Sequence, residues 1–327
     1  MRFCVLGARF PPLSGALFFL CLGLISCTAP QTRALLEGRP SIANSAELQN
    51  TPFFPQVAYQ CGPAALATVL AVSGRPADPE ALREQVYLPA RGGSLQVEML
   101  TAARRNGAVA VAIEPTLPAL LQTVVEGYPV VVLQNLGLDW VPRWHYAVVI
   151  GFDLDSPSVV LRSGVTRRLV LPMGTFERTW SRSGRWAMVA LRPGDLPSAV
   201  EEPDYLQAAL AFEKLAAPSD ALRAYEAAVS RWAGNRLAWL GAGNSAYLLG
   251  QWGRAEHAFV QAAQLPGDPA PTLNNLALTL AAQGRHTEAI AAAERAVTAG
   301  GAFEAVARAT LAELRAAQGQ SIEGSDE

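Results

Sequence analysis

Between residues 205 and 296 the same pattern of small and large apolar residues returns every 34 positions. Ala221, Ala255 and Ala289 keep that interval, and so do Ala228, Ala262 and Ala296. Tyr225, Phe259 and Ala293 form a third set, Ala209, Gly243 and Ala277 a fourth, and Tyr205, Trp239 and Leu273 a fifth. A fixed period of this length in alanine-rich helical sequence leaves few architectures open. Each repeat is a helix pair too small to bury its apolar face alone, so successive pairs must stack. The segment "FEAVARATLAELRAAQ" is expected to close the stack, giving a helical region over 204–318. The tail 319–327 is acidic, contains Gly and Ser, and is expected to be disordered.

These repeats resemble the tetratricopeptide family, whose paired helices present a concave groove to a protein partner. They occupy about a third of a 327-residue chain, so a second domain is expected ahead of them. Over 51–193 the pattern changes. "CGPAALATVLAVSG", "SLQVEMLTAARRNG" and "LPALLQTVVEGY" read as helices, each ended by or near a glycine. "AVAVAI", "PVVVLQN", "RWHYAVVIGFD", "SVVLRSG", "RRLVLP" and "RWAMVALR" read as short strands between turn residues. Helices followed by a cluster of antiparallel strands indicate an α+β domain. The Pro-rich, acidic stretch 194–203 is the expected linker to the repeats. The formal net charge is −2 and no Lys/Arg-rich run is present, which argues against nucleic acid as a partner.

Residues 1–27 read as an export signal. Arg2 and Arg9 precede the apolar run "LSGALFFLCLGLIS", which is short for a membrane-spanning helix. Its end, "LISC" (24–27), resembles a bacterial lipobox. The resemblance implies cleavage before Cys27, lipidation of that cysteine, and anchoring in the envelope by several acyl chains. Thr28 rather than Asp follows, which by the same resemblance favours the periplasmic face of the outer membrane. Residues 28–50 are polar, without clear periodicity, and are expected to be a tether.

This processing leaves one free thiol. Cys4 and Cys21 depart with the signal and Cys27 is lipidated, so Cys61 has no disulfide partner in an oxidising compartment. Too few Cys and His residues surround it for a structural zinc site, and no metal or cofactor is expected. Cys61 sits where a helix should begin, and Gly62 and Pro63 suit the first turn. Unpaired N–H groups and the positive end of the helix dipole there favour a thiolate. Of three histidines, His257 and His286 fall in the repeats, leaving His145 at the start of "HYAVVIGFD". A lone cysteine or histidine is more often packing than catalysis; the pair, in that order, points to chemistry.

"CGPAALATVL" followed 84 residues later by "HYAVVIGFD" resembles the bacteriocin-processing, double-glycine leader peptidase family, a group of papain-like cysteine peptidases. The resemblance covers about 51–192 and implies Cys61 as nucleophile and His145 as general base. It implies Gln56, in preference to Gln60, as an oxyanion-hole donor. The family's triad aspartate follows on the next strand, where this chain has "SVVLRSG" and places Ser163. Asp139 and Asp153 are the other acids at hand, with Asp153 better suited to starting a turn. The chain therefore reads as an envelope-anchored cysteine peptidase acting on a peptide or amide bond, its repeats recruiting a substrate or protein partner. The alternative is an inactive papain-like scaffold that binds peptides. Without a nucleotide-binding G-x-x-x-x-G-K-[S/T] motif, double-glycine specificity does not carry over.

Overall fold

The computed structural model describes residues 29–38, 41–56 and 60–323, so the expected signal and Cys27 lie outside the described residues. The N-terminal unit is α+β. It opens with α1 (Pro30–Gly38), β1 (Ser45–Glu47), α2 (Cys61–Val72) and α3 (Pro79–Val86). The two-residue strands β2 (Tyr87–Leu88) and β3 (Gly93–Ser94) precede α4 (Gln96–Arg105), β4 (Val109–Ala112) and α5 (Leu117–Val125). Then come β5 (Val130–Asn135), β6 (Trp144–Asp153), β7 (Ser158–Ser163), β8 (Thr166–Pro172), α6 (Met173–Ser181) and β9 (Ala187–Leu191).

The main sheet runs β4-β9-β5-β6-β7-β8, antiparallel throughout, with β1 added on β6. Every residue of β5, "VVVLQN", is buried, because the sheet is covered on both faces. Val131 and Leu133 join Tyr146, Val148 and Ile150 in a core shared with α2, α3 and α4. Val130 and Val132 join Ala147 and Val149 in the opposite core, closed by Leu120 of α5 and by Phe176 and Trp180 of α6. Alternation along a strand sends neighbours to opposite faces, so an uninterrupted apolar run serves two cores.

Within the expected tether 28–50, the described residues 29–38 and 41–50 are packed rather than free. Glu177 of α6 is buried, and its carboxylate accepts the Gln31 and Thr32 N–H groups at 2.9 and 2.7 Å. That satisfies the first turn of α1 and favours its dipole. Gln31 in turn bridges to α5, accepting from Leu117 N at 2.7 Å and donating to Pro115 O. Leu35 is buried, and β1 pairs Ser45 with Asp153. Polarity without periodicity concealed these contacts, which are made to residues more than 80 positions away.

The repeats form α7 (Glu202–Glu213), α8 (Pro218–Arg231), α9 (Arg236–Leu248), α10 (Trp252–Gln264), α11 (Ala270–Ala282), α12 (His286–Ala299) and α13 (Glu304–Glu323). First helices begin at 202, 236 and 270 and second helices at 218, 252 and 286, reproducing the 34-residue interval. The closing helix runs past residue 318 to Glu323, because only Gly319 weakens an otherwise helix-compatible stretch. The last four residues of the expected tail lie outside the described residues.

The linker residues before α7 are pinned rather than loose. Glu126 accepts from Ser198 N at 2.7 Å, and Arg231 donates to Pro197 O at 2.6 Å. The core of α5 and α6 continues through Val200 and Tyr205 into the repeats. Arg75, beyond α2, pairs with Asp220 of α8 at 3.0 Å, both side chains largely shielded from solvent.

Small residues mark where repeat helices touch. A methyl group on Gly243 of α9 would come within 2.5 Å of the Phe259 ring. Gly243→Ala is therefore expected to cost about 1–3 kcal/mol by overpacking. Chemical denaturation measures it, and a variant as stable as the wild type would contradict this packing.

Candidate active site

α2 begins at Cys61, whose side chain is half-buried and packs against the core that contains Tyr146. Pro63 has no N–H, and the Ala64 N–H donates to Gln60 O at 3.1 Å. Among the described residues, the Cys61 and Gly62 N–H groups have no acceptor. They are the unspent donors that a helix start offers to a developing negative charge. Gly62 is required there, because a Cβ would lie 2.5 Å from Ser94 Oγ.

His145 is the second residue of β6 and pairs with Gln134 of β5. Its Nε2 lies 2.8 Å from Ser163 Oγ at the end of β7. With the proton on Nε2 the ring donates to Oγ and keeps Nδ1 as a lone pair, which is the tautomer a base needs. Burial lowers the His145 pKa below its ordinary value near 6.5. A charged imidazolium is disfavoured in that setting, and a hydroxyl brings no charge to offset the penalty.

Tyr146, the next residue, points to the other core and donates its hydroxyl to Ser94 O at 3.1 Å. Burial and the neighbouring Cys61 sulfur both raise its pKa, so it stays a neutral donor. Ser94 Oγ is itself buried without a hydrogen-bond partner. Ser94 and Tyr146 thus frame Cys61. Ser94 was not foreseen because it reaches α2 from a two-residue strand that no sequence pattern announces.

The remaining candidates sort clearly. The Gln56 N–H donates to Gly164 O at 3.1 Å, which seats Gln56 against the turn next to Ser163. The Gln60 side chain is spent on Glu80 at 2.9 Å. Asp153 is eight residues along β6 from His145, some 26 Å at the usual strand rise of about 3.3 Å per residue. Its carboxylate accepts from Asp155 N at 2.8 Å and from Ser156 N, starting the hairpin turn. Asp139 is exposed in the loop between β5 and β6. Neither acid hydrogen-bonds His145. The structure joins His145 to Ser163 and brings Cys61 beside Tyr146; no hydrogen bond links Cys61 to His145 among the described residues.

Residues 48–188 match the model of the Peptidase_C39-like family, in keeping with the resemblance carried by Gln56, Cys61 and His145. A protein described as a C39-like peptidase, from Bacillus anthracis, is 21% identical, with a TM-score of 0.41 over 46% of this chain and 98% of that one. The peptidase domain of Streptococcus ComA, a bifunctional ABC transporter involved in quorum sensing, is 20% identical. Its TM-score is 0.35 over 43% of this chain and 98% of that domain. YrrB, a TPR protein with an unusual peptide-binding site, is 20% identical, with a TM-score of 0.33 over 38% of this chain and 63% of YrrB. No curated protein matches the chain.

Ser163→Asp places a carboxylate where the hydroxyl now meets the ring. A negative neighbour favours imidazolium, so the His145 pKa is expected to rise by about one unit or more. NMR titration of the ring measures it, and an unmoved value would show that residue 163 does not govern the imidazole.

Proposed function

We propose that the protein is a cysteine peptidase, held in the bacterial envelope through Cys27, that hydrolyses a peptide or other amide bond at Cys61. The observation that carries this reading is the His145–Ser163 hydrogen bond at 2.8 Å, an imidazole oriented one residue from the Tyr146 that shares a core with the helix-start cysteine Cys61. In this mechanism His145 takes the Cys61 proton and the sulfur attacks the carbonyl carbon. The Cys61 N–H and the Gln56 side-chain amide receive the oxyanion. The imidazolium then protonates the leaving amine as the C–N bond breaks, leaving a thioester. Water, deprotonated by His145, attacks the thioester; the acid is released and Cys61 recovers its proton. The Cys61–His145 contact forms on substrate binding, as catalytic hydrogen bonds often tighten only in the complex. The repeats bring a peptide or protein segment to this unit along their concave side.

A second reading has its own observation. The uncharged Ser163 occupies the place of the family's acid, which suits a scaffold that binds peptides without cutting them.

The rate of Cys61 alkylation against pH separates the two. An ordinary thiol of pKa about 8.5 is roughly 3% thiolate at pH 7. The active site is expected to react up to about thirtyfold faster there, with a plateau below pH 8 that His145→Ala removes. A slow rate that climbs as for a free thiol, unchanged in His145→Ala, would leave the scaffold reading.

For the enzyme, Gln56→Ala is expected to lower kcat by about a hundredfold or more while the Cys61 alkylation profile stays unchanged. Equal turnover in the variant would remove Gln56 from the oxyanion hole.

A further inference from the structure

Arg162 of β7 is buried, only 5% exposed, and the acceptors its guanidinium meets are backbone carbonyls. Nε and Nη2 donate to Thr51 O at 3.2 and 2.8 Å. Nη2 also donates to Gln49 O at 3.1 Å, and Nη1 to Arg167 O at 2.5 Å. Glu47, the acid whose charge reaches Arg162, spends both carboxylate oxygens on Arg168 at 2.8 and 2.9 Å. Burial, with Arg167 and Arg168, lowers the Arg162 pKa and Glu47 raises it. A guanidinium stays charged under such influences. A buried cation is tolerated only where its donors are met, and here main chain meets them.

Those carbonyls belong to the two segments that carry the candidate site. Gln49 and Thr51 lie on the stretch that leads from β1 to Gln56, whose N–H donates to Gly164 O at 3.1 Å. Arg167 lies in β8, next to the Thr166 that pairs with Ser163 across the turn. The β7–β8 ladder is irregular at this point. Between Leu161↔Leu169 and Ser163↔Thr166, Arg162 alone opposes both Arg167 and Arg168. Such a bulge leaves a main-chain group without a ladder partner and re-aims the strand. Nη1 of Arg162 occupies the Arg167 carbonyl there, so one side chain braces the bulge and holds the Gln49–Thr51 main chain.

We propose that Arg162 is a positioning residue for the candidate active site, setting the Gln56 segment and the Ser163 turn in one frame. Its bearing on catalysis rests on the cysteine peptidase reading. Lysine cannot take its place. An ammonium is a point charge with three donors, whereas the Thr51 and Arg167 carbonyls meet different arms of a planar fork.

The test compares the full wild-type chain with Arg162→Lys, Gln56→Ala and the double variant. Hydrogen exchange at the Gln56 N–H reports the latch without any activity. The Leu48 N–H, bonded to Ile150 O at 2.7 Å, is the control for general loosening. In Arg162→Lys, exchange at Gln56 is expected to be about tenfold faster or more, with Leu48 unchanged. Acylation of Cys61 by p-nitrophenyl acetate reads the oxyanion hole. The thiol proton passes to His145, the sulfur bonds the acetyl carbon, and p-nitrophenolate leaves with the electron pair of the broken C–O bond. Release seen in Cys61→Ala is subtracted. Alkylation by iodoacetamide expels iodide and forms no oxyanion, so it controls for the thiol itself. Arg162→Lys is expected to slow acylation about tenfold or more at unchanged alkylation. Combined with Gln56→Ala it is expected to add no further loss, since both act through one group.

Unchanged exchange at Gln56, or exchange raised equally at Leu48, overturns the proposal. So does wild-type acylation in Arg162→Lys when Gln56→Ala is slow, or a loss that adds to that of Gln56→Ala. Faster Gln56 exchange in a chain whose wild-type Cys61 acylates no faster than a free thiol leaves the latch standing and removes the peptidase reading. If Arg162→Lys does not fold, Arg162→Gln, neutral and with two donors, is read in its place.

Discussion

From Val130↔Val149 to Asn135↔Trp144, six consecutive residue pairs lock β5 to β6. This ladder sends Tyr146, Val148 and Ile150 toward α2 and leaves Ala147 and Val149 for α5 and α6. A slip of one residue would exchange those sets and bury His145 under the wrong helices. The separate β6–β7 ladder brings His145 to the end of β7, while the β5–β6 register sets Tyr146 in the core of Cys61 and fixes both ends of the loop that carries Trp140. Histidine, tyrosine and serine thus take their positions from β6 and its two partner strands.

The second organising contact joins the two units. Their apolar cores are continuous through Val200 and Tyr205, and Arg75 and Asp220 close the seam. Partly shielded ion pairs contribute more to orientation than to stability. With the linker held by Glu126 and Arg231, the repeat stack keeps a defined orientation to the peptidase-like unit.

At the candidate site, the chemistry turns on the replacement of a charge by a hydroxyl. An aspartate at Ser163 would hold both the ring's orientation and the proton it gains. Ser163 keeps the first role at 2.8 Å and gives up the second, while burial already works against the imidazolium. In the proposed mechanism the proton must therefore pass quickly from thiol to leaving amine. Cysteine sulfur is a strong nucleophile once its proton is taken, which makes that division of labour chemically reasonable.

Repeat length, helix pairs and most strands are legible in the sequence, because they follow from periodicity that each segment expresses alone. The sequence also singled out Gln56, Cys61, His145 and Ser163 through motif and spacing. Long-range packing settles the rest. Helix α1 packs because Glu177, far along the chain, caps it. Gln60 and Asp153 drop out because Glu80 and a hairpin turn occupy their side chains. Ser94 gains its meaning from Gly62 of α2, distant in sequence. Periodicity records what a segment needs buried; which partner buries it is settled by long-range contacts that leave no local pattern.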